Sequence, residues 1–259
     1  MAEPGPKTAQ LPAVQHLVVR YAKRGKMRFA SHRDVARVFE RGVRRAGLPI
    51  AYSAGFTPHP RISYAGGAPT GVASEAEYLS LALTSRQAAA HVRERLNETL
   101  PDGIDVIDVM DDAQRLAALE ASRWRVVLPG VEPIVAEQAV AGFLALSEAP
   151  VERLTDKGVR RLDARAAVVT LDVLGPADPD DGLRGVVTGA QDCAILRMVV
   201  LHTAPAVRPD DVLTSLREQY GLVPSSPPIT TRLAQGSLAF LAGASGYEGV
   251  AVVQGTKKP

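Results

Sequence analysis

Apolar positions early in the chain change period several times, and each change predicts a new element. "HLVVRYAKRG" (16–25) opens with β-branched, apolar residues and ends at a basic glycine turn, as a strand would. Over 31–47 the period lengthens: Val35, Val38, Phe39, Val43 and Ala46 fall at i, i+3, i+4, i+8 and i+11, one face of a helix. Ser31 supplies an N-cap, Asp34 stands at the capping-box position, and Gly47 closes the far end. "RISYAG" (61–66) and "EAEYLSLAL" (75–83) return to a strand period. In the second, Leu79, Leu81 and Leu83 alternate with Tyr78, Ser80 and Ala82, the pattern of a half-buried strand. A helix over 85–100, capped by Ser85 and stopped by Pro101, and a strand over 103–111 complete the order β-α-β-β-α-β.

After "QRLAALEAS" the order begins again. A strand over 123–129 leads to a helix over 132–147 with Pro133 near its first turn. Hairpin-like strands over 151–175 surround an Asp-Lys-Gly turn. A strand over 193–203, a helix over 209–221 and a closing strand over 228–236 follow. The acidic loop "PADPDDG" (176–182) interrupts this half. The expectation is an α+β fold of two tandem ferredoxin-like units, 14–112 with a basic face and 122–240 with an inserted loop. A connector (113–121), a disordered lead-in (1–13) and a C-terminal tail (241–259) account for the rest.

Composition narrows the chemistry. With 46% hydrophobic and 22% charged residues in 259, a packed protein is expected. No apolar run approaches the roughly 18 residues of a membrane span. The start "MAEPGPKTAQLPA" lacks a basic-then-apolar leader, so a cytoplasmic location without membrane contact is expected. Cys193 is the only cysteine, which excludes an internal disulfide, a CxxC pair, a cysteine zinc site and a three-cysteine iron–sulfur cradle. Glu75 and Glu77 lack metal-binding companions, with no HExxH, DxD or EF-hand loop present. The glycines of "YAGGAPTGVAS" fit neither Walker A nor GxGxxG, and GxSxG is absent. No metal and no cofactor is expected. Arg161, Asp163 and Arg165 read as a salt-bridged strand face.

Charge changes the picture most. The net charge of +2 hides ten Lys or Arg residues between Arg20 and Arg45, opposed only by Asp34 and Glu40. That segment carries +8, which leaves −6 for the remainder. Arg33, Arg37, Arg41 and Arg44 recur at helical spacing, and Lys23, Arg24, Lys26 and Arg28 lie in the preceding strand end and connection. Clustered like charges repel, and a polyanion such as RNA is their natural partner. Nothing resembles a groove-reading DNA module.

The loop "SAGFTPHPRISYAGG" (53–67) follows this segment. Pro58 and Pro60 stiffen the backbone around His59, leaving Phe56 to stack on a base and Arg61 to meet a phosphate. The alternative places Phe56 in the core and makes His59 an ornament of a rigid turn. His32, at a helix start, pairs with His59 in a second functional reading, a metal-independent endoribonuclease working by acid–base catalysis. A third reading docks the basic face on an acidic protein without nucleic acid.

"MRFASHRDVARVFERGVRRAGLPIAYSAGFTPHPRISYAGGAPTGVASEAEYLSLAL" (27–83) resembles the radical-SAM-associated domain of unknown function found in bacteria. The S-H-x-D helix start, the G-F-x-P-H-P-x-I loop and the G-V-x-S-E-x-E-Y segment carry the likeness, with "VERLTDKGVRRLDARAAV" (151–168) as a second, weaker block. The resemblance implies action beside a radical SAM enzyme, in RNA modification or maturation. Without CxxxCxxC the chain looks like the stand-alone form of that domain. A likeness at fold level alone reaches the tandem ferredoxin-like ribonucleases of CRISPR systems, and it transfers no activity.

Overall fold

The computed structural model describes residues 11–54, 56–155, 158–174 and 193–243. The start of the lead-in, Asp156 and Lys157 of the expected turn, the acidic loop 176–182 and the tail after 243 lie outside the described residues. The fold is α+β, with a large mixed β-sheet and several helices. No described helix is long and apolar enough to cross a membrane. Two compact units divide the chain, Met1–Arg125 with Ile229–Gly236, and Val126–Pro228 with Ser237–Pro259.

In unit 1, β1 (Gln15–Lys23), α1 (His32–Arg45), β2 (Ile62–Ala65), β3 (Ala73–Leu83), α2 (Ala89–Thr99) and β4 (Ile104–Met110) follow the expected order. β1 lies antiparallel between β4 and β3, with Tyr21 opposite Glu77, and β2 pairs antiparallel with the C-terminal part of β3. The strand over 228–236 forms β10 (Ile229–Gly236), which runs parallel to the start of β3 and sets Arg232 opposite Ser74.

α1 forms where its caps and apolar stripe dictate. The Asp34 amide donates to Ser31 Oγ at 3.2 Å, and the Ser31 amide donates to Asp34 Oδ2 at 3.2 Å. Val35, Val38, Phe39 and Val43 pack onto Leu17, Val19, Leu79 and Leu81. Phe39 meets Tyr21 edge-on at 4.7 Å. α2 begins later than its apolar pattern predicts and has no side-chain cap. Gln87 is the reason: its amide donates to Gln15 Oε1 at 2.8 Å, holding the segment extended. β3 is buried on both faces rather than one. Ala76 and Tyr78 form a second cluster with Val18, against which Leu116 and Leu119 pack.

Unit 2 contains most of the apolar part of β5 (Ala121–Pro129), then α3 (Pro133–Ala145), β6 (Pro150–Thr155), β7 (Gly158–Asp163), the short α4 (Ala164–Ala167), β8 (Val168–Val173), β9 (Cys193–Leu201), α5 (Pro209–Tyr220) and α6 (Leu238–Gly243). β5, β9 and β8 are sheet neighbours, whereas β6 and β7 make a separate two-stranded ribbon. Arg153 of β6 ties that ribbon to α5 through Asp211 at 2.7 Å. Among the described residues Asp163 forms no strand-face ion pair with its arginine neighbours. Its carboxylate accepts from the amides of Ala149 (2.8 Å) and Arg165 (2.9 Å), capping α4.

Each unit has one glycine that lets two helices approach closely. A Cβ on Gly42 of α1 would lie 2.9 Å from Leu100 Cδ2, and one on Gly142 of α3 would lie 2.3 Å from the Tyr220 ring. Gly142→Ala is expected to destabilise the protein by about 1–3 kcal/mol through overpacking. Ser31→Ala, which removes the hydroxyl that accepts from the Asp34 amide, is expected to cost about 1 kcal/mol. Urea unfolding measures both, and a midpoint unchanged in Gly142→Ala contradicts the close helix contact.

Candidate nucleic-acid interface and buried polar pocket

The basic segment divides into groups with different surroundings. Arg33, Arg37, Arg41 and Arg44 are exposed on α1, and their spacing places them within roughly 80° of helix circumference. Arg37 has one loose contact, 4.0 Å from Asp34. Arg33, Arg41 and Arg44 have no ion pair among the described residues. Hydrogen bonds from Ser31 hold the Asp34 carboxyl below its usual range, with Arg37 adding to them. Before the helix, Lys26 is exposed, and Arg28 lies over the exposed Phe29 ring at 4.6 Å.

Arg24 and Lys23 already have partners within the protein, Arg24 at the surface and Lys23 buried. Arg24 Nε donates to Glu75 Oε1 at 2.7 Å, and Nη1 to Asp105 Oδ2 at 2.9 Å. Its hydrogen bonds to Glu75 raise its pKa further. Lys23, only 3% exposed, donates to the carbonyls of Ala68 (3.2 Å) and Pro69 (3.3 Å). Burial lowers its pKa, Arg232 adds to that effect, and Glu77 opposes it.

The loop after α1 leaves and re-enters the fold at paired points. The Ser53 amide donates to the His59 carbonyl (2.8 Å), the His59 amide to Ser53 Oγ (3.0 Å), and the Arg61 amide to the Ala51 carbonyl (2.8 Å). Pro60 is buried at this base, while Thr57, Pro58 and His59 are exposed. Phe56 is fully exposed, so the reading that seats it in the core does not hold. Arg61 is exposed just beyond the loop base.

His32 has different company. Its ring meets Tyr64 edge-on at 5.1 Å, and it lines a pocket of about 280 Å³ with Tyr21, Lys23, Tyr64 and Glu77. His59 does not line this pocket, which gives the two histidines no shared site there. Beneath it, Glu77 accepts from Arg232 Nη2 at 2.6 Å and from the Ala68 amide at 3.0 Å. Arg232 Nη1 donates to the Gly66 carbonyl at 2.8 Å, and its guanidinium lies 5.0 Å from the Trp124 ring centre. Burial, reinforced by Glu77, pushes the Tyr21 hydroxyl well above its ordinary pKa. Burial also raises Tyr64, with Glu40 adding to it. Arg232 was not legible as a site residue, because its partner is 155 positions away and one arginine in a strand carries no local signature.

Residues 16–209 match the family model described as "Uncharacterized protein conserved in bacteria (DUF2344)". The chain belongs to the DUF2344 family. The resemblance carried by residues 27–83 and 151–168 falls within that match. Among curated proteins nothing matches. Among solved structures, the Cbf5-Nop10-Gar1 complex is similar at 10% identity and TM-score 0.44, over 89% of this chain and 51% of that one. The chain thus spans about half the length of that structure. The first two RRM domains of yeast poly(U) binding protein (Pub1) are similar at 8% identity and TM-score 0.19, over 84% of this chain and 98% of that one. Within the DUF2344 chain, the described residues contain no group of three or more His, Cys, Asp or Glu that could hold a metal ion.

The Glu77–Arg232 pair makes a stability test. Glu77→Ala leaves a buried guanidinium without its carboxylate and is expected to destabilise by about 3–5 kcal/mol. Glu77→Ala combined with Arg232→Met is expected to lose less than the two single losses added. Denaturant unfolding of the four proteins measures this, and strict additivity contradicts direct coupling.

Proposed function

We propose that this DUF2344 chain is an accessory RNA-binding protein that acts with a radical SAM enzyme in RNA modification or maturation. The observation that carries the reading is the exposed arginine stripe on α1, Arg33, Arg37, Arg41 and Arg44, with no firm neutralisation among the described residues. Such a row attracts a phosphate backbone, and its affinity falls as salt rises. Lys26, Arg28 and Arg61 extend the exposed or half-exposed positive groups of the same unit. Phe56, held on a loop fastened at its base, offers a ring for base stacking, with His59 beside it. Lys23 and Arg24, already engaged, support the site from within.

The partnership with a radical SAM enzyme rests on the sequence resemblance and on chemistry. This sequence holds one cysteine, so an iron–sulfur cluster with three cysteine ligands would come from elsewhere. We also read the chain as two tandem ferredoxin-like units, 14–112 and 122–240. The strand order β4-β1-β3-β2 supports this for the first unit, and the matching glycines in α1 and α3 support it for the second.

Two measurements test the RNA reading. Arg33→Ala with Arg37→Ala is expected to weaken retention of single-stranded RNA and reduce the slope of log K against log salt by about 1.4. Phe56→Ala is expected to cost about 1–3 kcal/mol of RNA affinity without changing the unfolding midpoint. RNA binding that is absent, or unaltered by both changes, overturns the proposal.

A further inference from the structure

The pocket beside His32 holds more hydrogen-bonding capacity than the protein itself uses. Its polar lining comes from four elements: Tyr21 and Lys23 of β1, Glu77 of β3, Tyr64 of β2 and His32 of α1. Glu77 is satisfied by Arg232 and the Ala68 amide. The others keep open positions. Tyr21 is 4% exposed, and its hydroxyl has no hydrogen bond among the described residues. The Tyr64 hydroxyl is buried without a partner. Lys23 uses two of its protons on carbonyls, which leaves the third. The His32 imidazole makes a ring contact and no hydrogen bond among the described residues.

Buried polar groups ordinarily find partners, so the unpartnered Tyr64 hydroxyl, with the spare donors of Lys23 and the exposed His32 on the same cavity, marks a place for a ligand. The lining donors favour an anion: Lys23 stands beside the Glu77–Arg232 pair, Glu40 acts on Tyr64 from α1, and the first turn of α1 borders the same cavity. Every open group can donate. A carboxylate offers two oxygens to such a set, whereas a phosphate monoester offers three terminal ones.

We propose that this pocket binds a phosphate monoester, with Lys23, Tyr21, Tyr64 and His32 around its oxygens. The volume of about 280 Å³ leaves room for a small organic remainder. Gly67 forms a bare wall of the site: a Cβ there would lie 3.7 Å from His32 Nδ1 and 3.8 Å from Glu77 Oε2. The same group occurs on a free phosphorylated metabolite and at the 5′ end of an RNA strand. The pocket is a separate feature from the exposed arginine stripe, and this inference does not rest on RNA binding.

The full chain is titrated by calorimetry with inorganic phosphate, ribose 5-phosphate, ribose, acetate, and an oligoribonucleotide with either a 5′-phosphate or a 5′-hydroxyl. Saturable binding of ribose 5-phosphate, accompanied by a rise in Tm, is expected, with ribose and acetate inert. Tyr21→Phe with Tyr64→Phe is expected to weaken that binding at least tenfold without lowering the unliganded Tm, since no internal hydrogen bond is removed. Gly67→Val, which removes no donor but fills the wall, is expected to weaken it as well. Preference for ribose 5-phosphate supports a free metabolite, and preference for the 5′-phosphorylated oligonucleotide over its 5′-hydroxyl form supports an RNA end. No saturable binding by any phosphate probe, acetate binding equal to ribose 5-phosphate, or wild-type affinity in the double tyrosine variant overturns the proposal. Ribose 5-phosphate binding without salt-dependent RNA retention upholds the pocket and overturns the stripe.

Discussion

Glu77 and Arg232 form an ion pair whose side chains are 3% and 4% exposed, and the geometry of unit 1 is organised around it. Two charges out of water are tolerated only when their remaining valences are filled. Here the Ala68 amide and the Gly66 carbonyl fill two of them, while Arg232 Nε has no partner among the described residues, and the pair also positions the Gly66–Ala68 turn. Lys23 reaches the next two carbonyls of that turn. Backbone that would otherwise be a loose glycine connection becomes a fixed wall. That wall and the first turn of α1 face one cavity, and His32 stands at the helix end that borders it.

The same constraint separates two kinds of positive charge. Lys23 belongs to the strand surface under α1, where burial lowers its pKa and carbonyls engage it. Arg24, one residue on, turns outward and is claimed by Glu75 and Asp105. The arginines of α1 lie opposite its buried stripe of Val35, Val38, Phe39 and Val43, where no internal carboxylate reaches Arg33, Arg41 or Arg44 among the described residues. A basic segment that looks uniform in sequence thus splits into internal braces and an outward row. The outward row is exposed to solvent.

Locally encoded features are legible in the sequence. The capping box at Ser31 and Asp34, the apolar stripe of α1, and the strand order of the first half all depend on neighbours within a few residues or on simple periodicity. The loop between α1 and β2 is marked too, by Pro58 and Pro60, and Ser53, His59 and Arg61 fasten its base. Two local readings missed for a non-local reason. Ser85 does not cap α2 because Gln15, seventy-two positions earlier, holds Gln87. Asp163 caps a short helix instead of joining an ion-paired strand face, because the Ala149 amide lies within reach.

The sequence alone determined that this chain alternates strands and helices, gathers its positive charge around α1, and follows that helix with a rigid aromatic loop. Each is a property of residues close together along the chain. Only the tertiary structure decided that Phe56 faces solvent, that Lys23 and Arg24 turn to internal partners, and that Tyr21, His32 and Tyr64 share a cavity above Glu77. Those outcomes depend on strand register and on Arg232 arriving from β10, and a contact across 155 residues leaves no periodic trace in the sequence.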